Sequence, residues 1–402
     1  MALLPVAEAL ARVLDGVAPL PAEQVVVAEA HGRVLAADLA ALRTQPPDAL
    51  SAMDGYAVRA DDVAKAPAKL RVIGEVAAGR PFDGTVRTGE AARIFTGGVL
   101  PAGADTIVIQ ENTERDGTSL LVTVPSKIGR HVRERGLDFR EGDVLLPAGH
   151  RLRDRDVALA AAMNHARVPV RRVPRVALLA TGDELVAPGV SPGPGQIVYS
   201  NGFALAALAR SEGAEVIDLG IVPDRVDDTV AAIDAATRRR ADVLVTTGGA
   251  SVGEYDLVQQ SLAARGMALS FWKVAMRPGR PMMHGVLGGM RVLGLPGNPV
   301  SAYVCGFLFL APLIRRLLGR PEAEVPTDAA VLGRDLPAND ERADYLRSSL
   351  THTDKGLVAT PFEIQDSSML ALLAKADCLV IREPFAPSAP AGSACRIVKL
   401  DR

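Results

Sequence analysis

Four short segments of this chain concentrate the residue types that chemistry needs. They are 181–184 (Thr-Gly-Asp-Glu), 222–224 (Val-Pro-Asp), 246–253 (Thr-Thr-Gly-Gly-Ala-Ser-Val-Gly) and 296–301 (Pro-Gly-Asn-Pro-Val-Ser). Three of the four bring glycine that lets a ligand approach backbone, and all four add a hydroxyl or a carboxylate. In the longest, Thr246, Gly248, Gly249, Ser251 and Gly253 would let successive N–H groups form a concave anion nest, the chemistry of a phosphate cradle. A strand-to-helix turn using glycine for positive φ is the plainer explanation of any single Gly-Gly pair, and the added hydroxyls favour the cradle. The chain has no Gly-Lys pair, hence no Walker A segment, and no G-x-G-x-x-G after a strand. Gly249, Ser251 and Gly253 also fit the G-x-S-x-G of an α/β hydrolase, where Ser251 would attack a carbonyl with help from His284 or His352.

Carboxylates stand beside these segments: Glu184, Asp224, Glu254 and Asp256, with Asp54 in the stretch 51–57 (Ser-Ala-Met-Asp-Gly-Tyr-Ala). Each alone reads as solvated surface, and Asp54, after Pro46-Pro47, also reads as turn chemistry. Several together near a phosphate nest suit Mg²⁺, which takes one or two carboxylates along with phosphate oxygens and water. Further on, Lys273, Arg277 and Arg280 place three cations in eight residues, a pattern suited to a second, tetrahedral oxyanion or, more simply, to a basic loop in water. The six histidines show no pair at metal-ligand spacing, and Cys305 lies inside an apolar helix as core.

The elements that must position these segments follow from periodicity. Residues 175–318 alternate compact apolar strands (175–180, 215–219, 242–246, 291–295) with amphipathic helices starting near Asn201, Arg225 and Tyr255 and a last helix over 299–318. That rhythm predicts a doubly wound α/β domain with a mostly parallel sheet, and the four segments fall where such a sheet binds ligands, beyond the carboxyl ends of its strands. Residues 1 to about 25 read as a helix with Val6, Leu10, Val13 and Leu14 on one face, closed by Gly16 and the Pro19 to Pro21 break, and 153–165 as another, followed by a basic, proline-bounded connector at 168–174. Short apolar runs at 70–73, 92–95, 106–109 and 119–124 make 26–146 mainly β. Runs at 329–332, 345–350, 378–382 and 395–400 predict a small C-terminal β domain over 321–402. The expected division is thus 1–25 with 147–174 as a helical and linker unit packing with the N-terminal half, then 26–146, 175–320 and 321–402.

Composition narrows the function. The 402 residues predict two to four domains, and 45 basic against 47 acidic residues leave a net charge of -2, which gives no wholesale attraction to nucleic acid or anionic lipid. Aromatics are 4%, too few for a base-stacking surface. The three cysteines have no C-x-x-C spacing and fit a reducing cytoplasm. The N-terminus lacks a basic region before a smooth apolar core, and the longest apolar run, 302–314, is shorter than the roughly 18 residues a membrane span needs.

The motifs, taken in order, resemble those of the molybdopterin molybdenumtransferases, the family of the bacterial MoeA proteins and the E domain of gephyrin. The likeness is carried by 51–58 (SAMDGYAV), 95–105 (FTGGVLPAGAD), 135–138 (RGLD), 181–185 (TGDEL), 246–256 (TTGGASVGEYD), 272–281 and 295–301 (LPGNPVS). Arg277 stands where the family often has lysine, and Asp366 where glycine is usual. The resemblance implies an elongated homodimer of four-domain subunits whose α/β domain binds adenylylated molybdopterin. It implies a reaction that cleaves the adenylate, consumes molybdate and yields molybdenum cofactor and AMP with Mg²⁺. Carried over, Asp54, Asp138, Glu184, Asp224 and Asp256 would be the catalytic carboxylates, the last three also holding the metal. Thr96, Thr181, Thr246, Gly248, Gly249, Ser251, Gly253, Pro296, Gly297, Asn298 and Ser301 would contact substrate. Lys273, Arg277 and Arg280 would bind anionic groups, and Arg347 with Ser367 would help hold molybdate. The N-terminal carboxylates would reach the partner subunit's site, and a molybdopterin adenylyltransferase would supply the substrate. Two other readings stay open: a related molybdopterin-binding enzyme such as that adenylyltransferase, which lacks segments like 51–58 and the C-terminal domain, and a partner-binding scaffold.

Overall fold

The computed structural model describes residues 3–248, 257–322, 324–354 and 356–400. The N-terminal part contains α1 (Val6–Leu14), β1 (Ala22–Val26), β2 (Gly55–Val58), β3 (Ala68–Val76), β4 (Glu90–Ile94), β5 (Thr106–Ile109), β6 (Thr113–Asp116), β7 (Ser119–Val122), α2 (Asp154–Ala162) and β8 (Arg167–Arg171). Strands β2 to β7 form a six-stranded sheet in the order β5-β2-β4-β3-β7-β6. The N-terminal helix stops at Leu14, closed by Gly16 with its positive φ of 63° and by the Pro19 to Pro21 break, so the helical segment does not extend to about residue 25. Residues 22–26 instead pair antiparallel with β8, so the segment expected as a connector is a strand. The apolar face of α1 packs chiefly on the central core, in a cluster that Val34 of the N-terminal half also joins: Leu4, Val6, Leu10 and Leu14 cover it, and Ala275 N–H donates to Leu4 O at 2.7 Å.

The central region runs β9 (Arg175–Thr181), α3 (Asn201–Ser211), β10 (Glu215–Val222), α4 (Val226–Arg238), β11 (Val243–Thr247), α5 (Leu257–Ala264), β12 (Ala268–Trp272), β13 (Met276–Arg277), β14 (Met283–Leu287) and β15 (Met290–Leu295). Its sheet order is β10-β9-β11-β15-β14-β12, parallel through β15, with β14 antiparallel to both neighbours. Helices cover both faces, which is why the inner strands are apolar throughout rather than alternating. The faces still separate by residue parity. Val176 and Leu178 of β9 with Val243 and Val245 of β11 enter the core under α1 and α3, while Ala177, Leu179 and Leu244 enter the core under α4 and α5. Each fully buried side chain of leucine or phenylalanine size contributes about 1.5–3 kcal/mol.

After β15 a long helix opens as α6 (Pro299–Cys305), passes through a π turn at Gly306–Leu310 and continues as α7 (Ala311–Leu317). It is apolar and long enough to cross a membrane, yet 89% of it is buried within the molecule, the mark of a core helix. Gly306 lets α3 approach, because a Cβ there would lie 2.4 Å from Leu205. Buried Arg315 of α7 donates twice to Glu212 at 2.8 Å, fixing the far end of α3. The chain finishes with β16 (Asp328–Leu332), β17 (Ala343–Thr353), β18 (Gly356–Pro361), α8 (Leu370–Leu373), β19 (Cys378–Arg382) and β20 (Ala394–Lys399). Their order is β17-β18-β16-β20-β19, and β19 returns to pair with β17, closing a small barrel. Strand β13 adds to the outside of β17, tying the Lys273 to Arg280 turn to this barrel.

Candidate functional site

β9, β11 and β15 are adjacent and parallel, and their carboxyl ends open onto one cleft of about 370 Å³. Thr181, Glu184, Gly248, Pro296, Gly297 and Asn298 line it, as their positions after strands require. Gly248 is obligatory there: its φ is +92° and a Cβ would stand 2.3 Å from Thr181 O. Gly182, at +149°, leaves room for the Glu184 carboxylate, which a Cβ would meet at 2.5 Å. Asn201, the first residue of α3, donates from Nδ2 to Gly297 O at 2.6 Å and so laces two of the loops together.

Three hydroxyls sit at these strand ends, those of Thr181, Thr246 and Thr247, all buried; those of Thr181 and Thr246 have no hydrogen-bond partner among the described residues, and that of Thr247 faces the Tyr199 phenol. A buried hydroxyl left unpaired costs free energy unless something else fills the site, so the Thr181 hydroxyl at the cleft points to a ligand. Thr247 lines the cleft, and Thr246 lies beneath it on the opposite face of β11. The sequence reading singled out Thr246; strand parity could have chosen Thr247. Asn201, Leu185, Ile197 and Pro281 also line the cleft and were not anticipated. Ser301 is buried in the first turn of α6 and does not line it. Gly249, Ser251, Gly253 and Asp256 lie outside the described residues, as do Ala250 and Glu254.

Among the carboxylates, Glu184 is at the cleft, and Asp224 is exposed nearby, its N–H donating to Asp183 Oδ1 at 3.2 Å. The three cations of the basic turn part company. Lys273 has a left-handed φ of 84° and lays its Nζ 4.9 Å from the centre of the Trp272 ring. Arg280 is exposed beside Pro281, with no ion-pair partner among the described residues. Arg277 is turned away from the cleft. It forks onto Asp344 at 2.8 and 3.1 Å and reaches Asn339 at 3.2 Å and Asp340 at 3.3 Å, lining instead a cavity of about 510 Å³ against the barrel. Its strand pairing with β17 carries it there.

Arg347 of β17 is 1% exposed and donates to Gln365 Oε1 and to Asp366 O, leaving Nη2 buried and unpaired. Burial lowers its pKa from the usual arginine value. These bonds shape the 365–368 segment, from which Ser367 meets the cleft loop: Asn298 Nδ2 donates to its Oγ at 2.9 Å and Val300 N–H to its O at 3.1 Å.

The N-terminal candidates sit elsewhere. Asp54, at the start of β2, takes both the Thr96 amide (2.7 Å) and the Thr96 hydroxyl (2.8 Å) on Oδ1. Those two bonds, with the Arg93 charge adding, hold its carboxyl below the ordinary aspartate value. Asp138 is exposed, and none of Asp54, Thr96 and Asp138 lines the cleft of its own chain. The hydrolase alternative finds no support in the histidines. His284 is buried in β14 against Val292 O and the Phe271 ring, and His352 is exposed on the barrel, so neither lines the cleft.

Three stretches match family descriptions end to end: 4–164 the MoeA N-terminal region (domain I and II), 177–316 a probable molybdopterin binding domain, and 329–400 the MoeA C-terminal region (domain IV). A molybdopterin molybdenumtransferase of Haemophilus influenzae is 34% identical over 94% of both chains. The chain belongs to the MoeA family of molybdopterin molybdenumtransferases. The member from Nostoc is 40% identical over 81% of this chain and 76% of its own. Among solved structures, the molybdopterin biosynthesis MoeA protein from Pyrococcus horikosii superposes with a TM-score of 0.87 at 31% identity, covering 100% of both chains.

Proposed function

We propose that this MoeA-family chain inserts molybdenum into molybdopterin, taking adenylylated molybdopterin and molybdate and releasing molybdenum cofactor and AMP. The observation that carries the reading is the cleft beyond β9, β11 and β15, where the buried Thr181 hydroxyl, without a partner among the described residues, and the Thr247 hydroxyl stand beside Gly248 and the amino end of α3. Such donors suit the phosphates of an adenylate, and the helix end adds a favourable field for anions. Lys273 and Arg280 supply charge for molybdate; Arg277 could join them only by leaving Asp344. Ser367, held through Gln365 and Asp366 by Arg347, borders the same side through Asn298.

Mg²⁺ fits this donor set. Glu184 lines the cleft and Gly182 gives its carboxylate space, while one or two carboxylates suffice when substrate phosphates complete the shell. Glu184 would hold it, with Asp224 and Asp256 as further candidates, and when bound it would neutralise charge on the departing AMP. The chain's own contribution is to orient the phosphates on hydroxyls and amides and, with its cations, to hold molybdate beside the pterin sulfurs. The reading extends to a homodimer in which Asp54, Thr96 and Asp138 complete the partner's cleft, to four units along the chain, to a cytoplasmic setting that suits three free cysteines, and to a molybdopterin adenylyltransferase as donor. The test is AMP release from adenylylated molybdopterin with Mg²⁺, with and without molybdate, scored by reconstitution of an apo-enzyme. Molybdate-dependent release with active cofactor is expected; tight binding without release would leave a carrier.

A further inference from the structure

Arg93 on β4 has a setting that the cleft chemistry does not use. Its guanidinium lies 5.1 Å from the centre of the Tyr56 ring and 4.9 Å from that of Phe95, and no carboxylate is within ion-pair distance among the described residues. Nη1 donates to Gly55 O at 3.3 Å and Nη2 to Gln110 Oε1 at 2.7 Å. Both partners border Asp54. Gly55 is the next residue, fixed because a Cβ would stand 2.0 Å from Val108 O, and Gln110 N–H donates to Asp54 O at 3.2 Å. On Asp54 itself Oδ1 carries both Thr96 bonds, and Oδ2 has no partner among the described residues.

We propose that Arg93 is the positioning residue of Asp54: held over two rings, it braces the backbone carbonyls of Asp54, through Gln110, and of Gly55, and sets its charge behind the carboxylate, so that Oδ1 stays on Thr96 and Oδ2 is presented outward. The rings and the two neutral acceptors replace the ion pair that arginine would ordinarily seek, and the planar fork is what allows both bonds at once. The inference rests on Asp54 serving the reaction proposed above, and the experiment separates the two.

The full chain is labelled with ¹⁵N-threonine, and the Thr96 amide is followed in the wild type, Arg93→Met, Arg93→Lys and Asp54→Asn, with Thr351 on the barrel as control. The lysine variant keeps the charge and the stem, so it remains informative should the methionine variant fold poorly. Expected are a Thr96 amide shift in both Arg93 variants in the direction seen for Asp54→Asn, an unmoved Thr351, and a kcat lower by roughly 10- to 100-fold with KM for molybdate nearly unchanged. A lowered kcat with the Thr96 amide in place would overturn the proposal, as would wild-type values of both. Should Asp54→Ala keep full turnover, the role of Asp54 falls, and the Thr96 amide alone decides whether Arg93 positions it.

Discussion

Thr246 and Thr247 occupy successive positions of β11, so their side chains leave opposite faces of the sheet. Thr246 is wholly buried and its hydroxyl has no partner among the described residues, which makes Thr246→Val a near-isosteric change that removes an unmet polar group. It should raise stability by about 1 kcal/mol and leave turnover alone; a lower melting temperature would mean that the hydroxyl is paired in the protein. Thr247 faces the cleft, and Thr247→Val should raise KM for the pterin substrate about tenfold, the equivalent of roughly 1.4 kcal/mol for one hydrogen bond to an anion. Glu184→Gln keeps the size of the side chain and deletes its charge, so turnover should fall by roughly 10²; assays matching wild type would remove Glu184 from the chemistry.

β14 carries a histidine between Leu293 of β15 and Phe271 of β12, and that choice gives the sheet a pH dependence. His284 Nδ1 sits 3.0 Å from Val292 O, and burial lowers its pKa below the ordinary 6.5. Above about pH 6.5 the imidazole is neutral in folded and unfolded chains alike; below it the unfolded chain takes up a proton that the folded chain refuses, so stability drops as pH falls. Denaturation midpoints should decline between about pH 7.5 and 5.5, more steeply for wild type than for His284→Gln, and equal slopes would place the dependence elsewhere. The same strand shows what periodicity could and could not reveal. β9, β11 and β15 were legible because burial on both faces writes a nearly unbroken apolar run, and β10, at the sheet edge, by its shorter run of Val216, Ile217 and Leu219. β14 was not read as a strand of this sheet, since His284 and Gly285 interrupt its run, and neither was β12, whose first three residues are exposed at the sheet edge. Among site residues, those adjoining strand ends were legible by type. The direction of Arg277 was not, because it is set by β13 joining a barrel strand some 67 residues away.

At the scale of the molecule, the candidate carboxylates divide between two places: Glu184 at the central cleft, Asp54 and Asp138 on the N-terminal part and absent from that cleft's lining. Exposed apolar side chains flank both, Met53 and Leu137 beside the N-terminal pair, Ile197 and Phe203 beside the cleft. Apolar surface at both half-sites is what a two-fold contact would cover, and an isologous dimer would then build each site from two chains. This arrangement has a countable consequence. In Asp54→Ala every site lacks the N-terminal carboxylate, and in Glu184→Ala every site lacks the cleft carboxylate, so each homodimer should be nearly inactive. When the two variants are unfolded together, refolded and allowed to pair at random, about half of the dimers are mixed. In a mixed dimer with shared sites, one site carries both substitutions and the other carries neither, so activity should return to about a quarter of wild type. If each chain instead completes its own site, every site in the mixture still carries one substitution and activity stays at the level of the separate variants. Recovery to about a quarter would therefore fix both the dimer and the assignment of Asp54 to the partner's cleft.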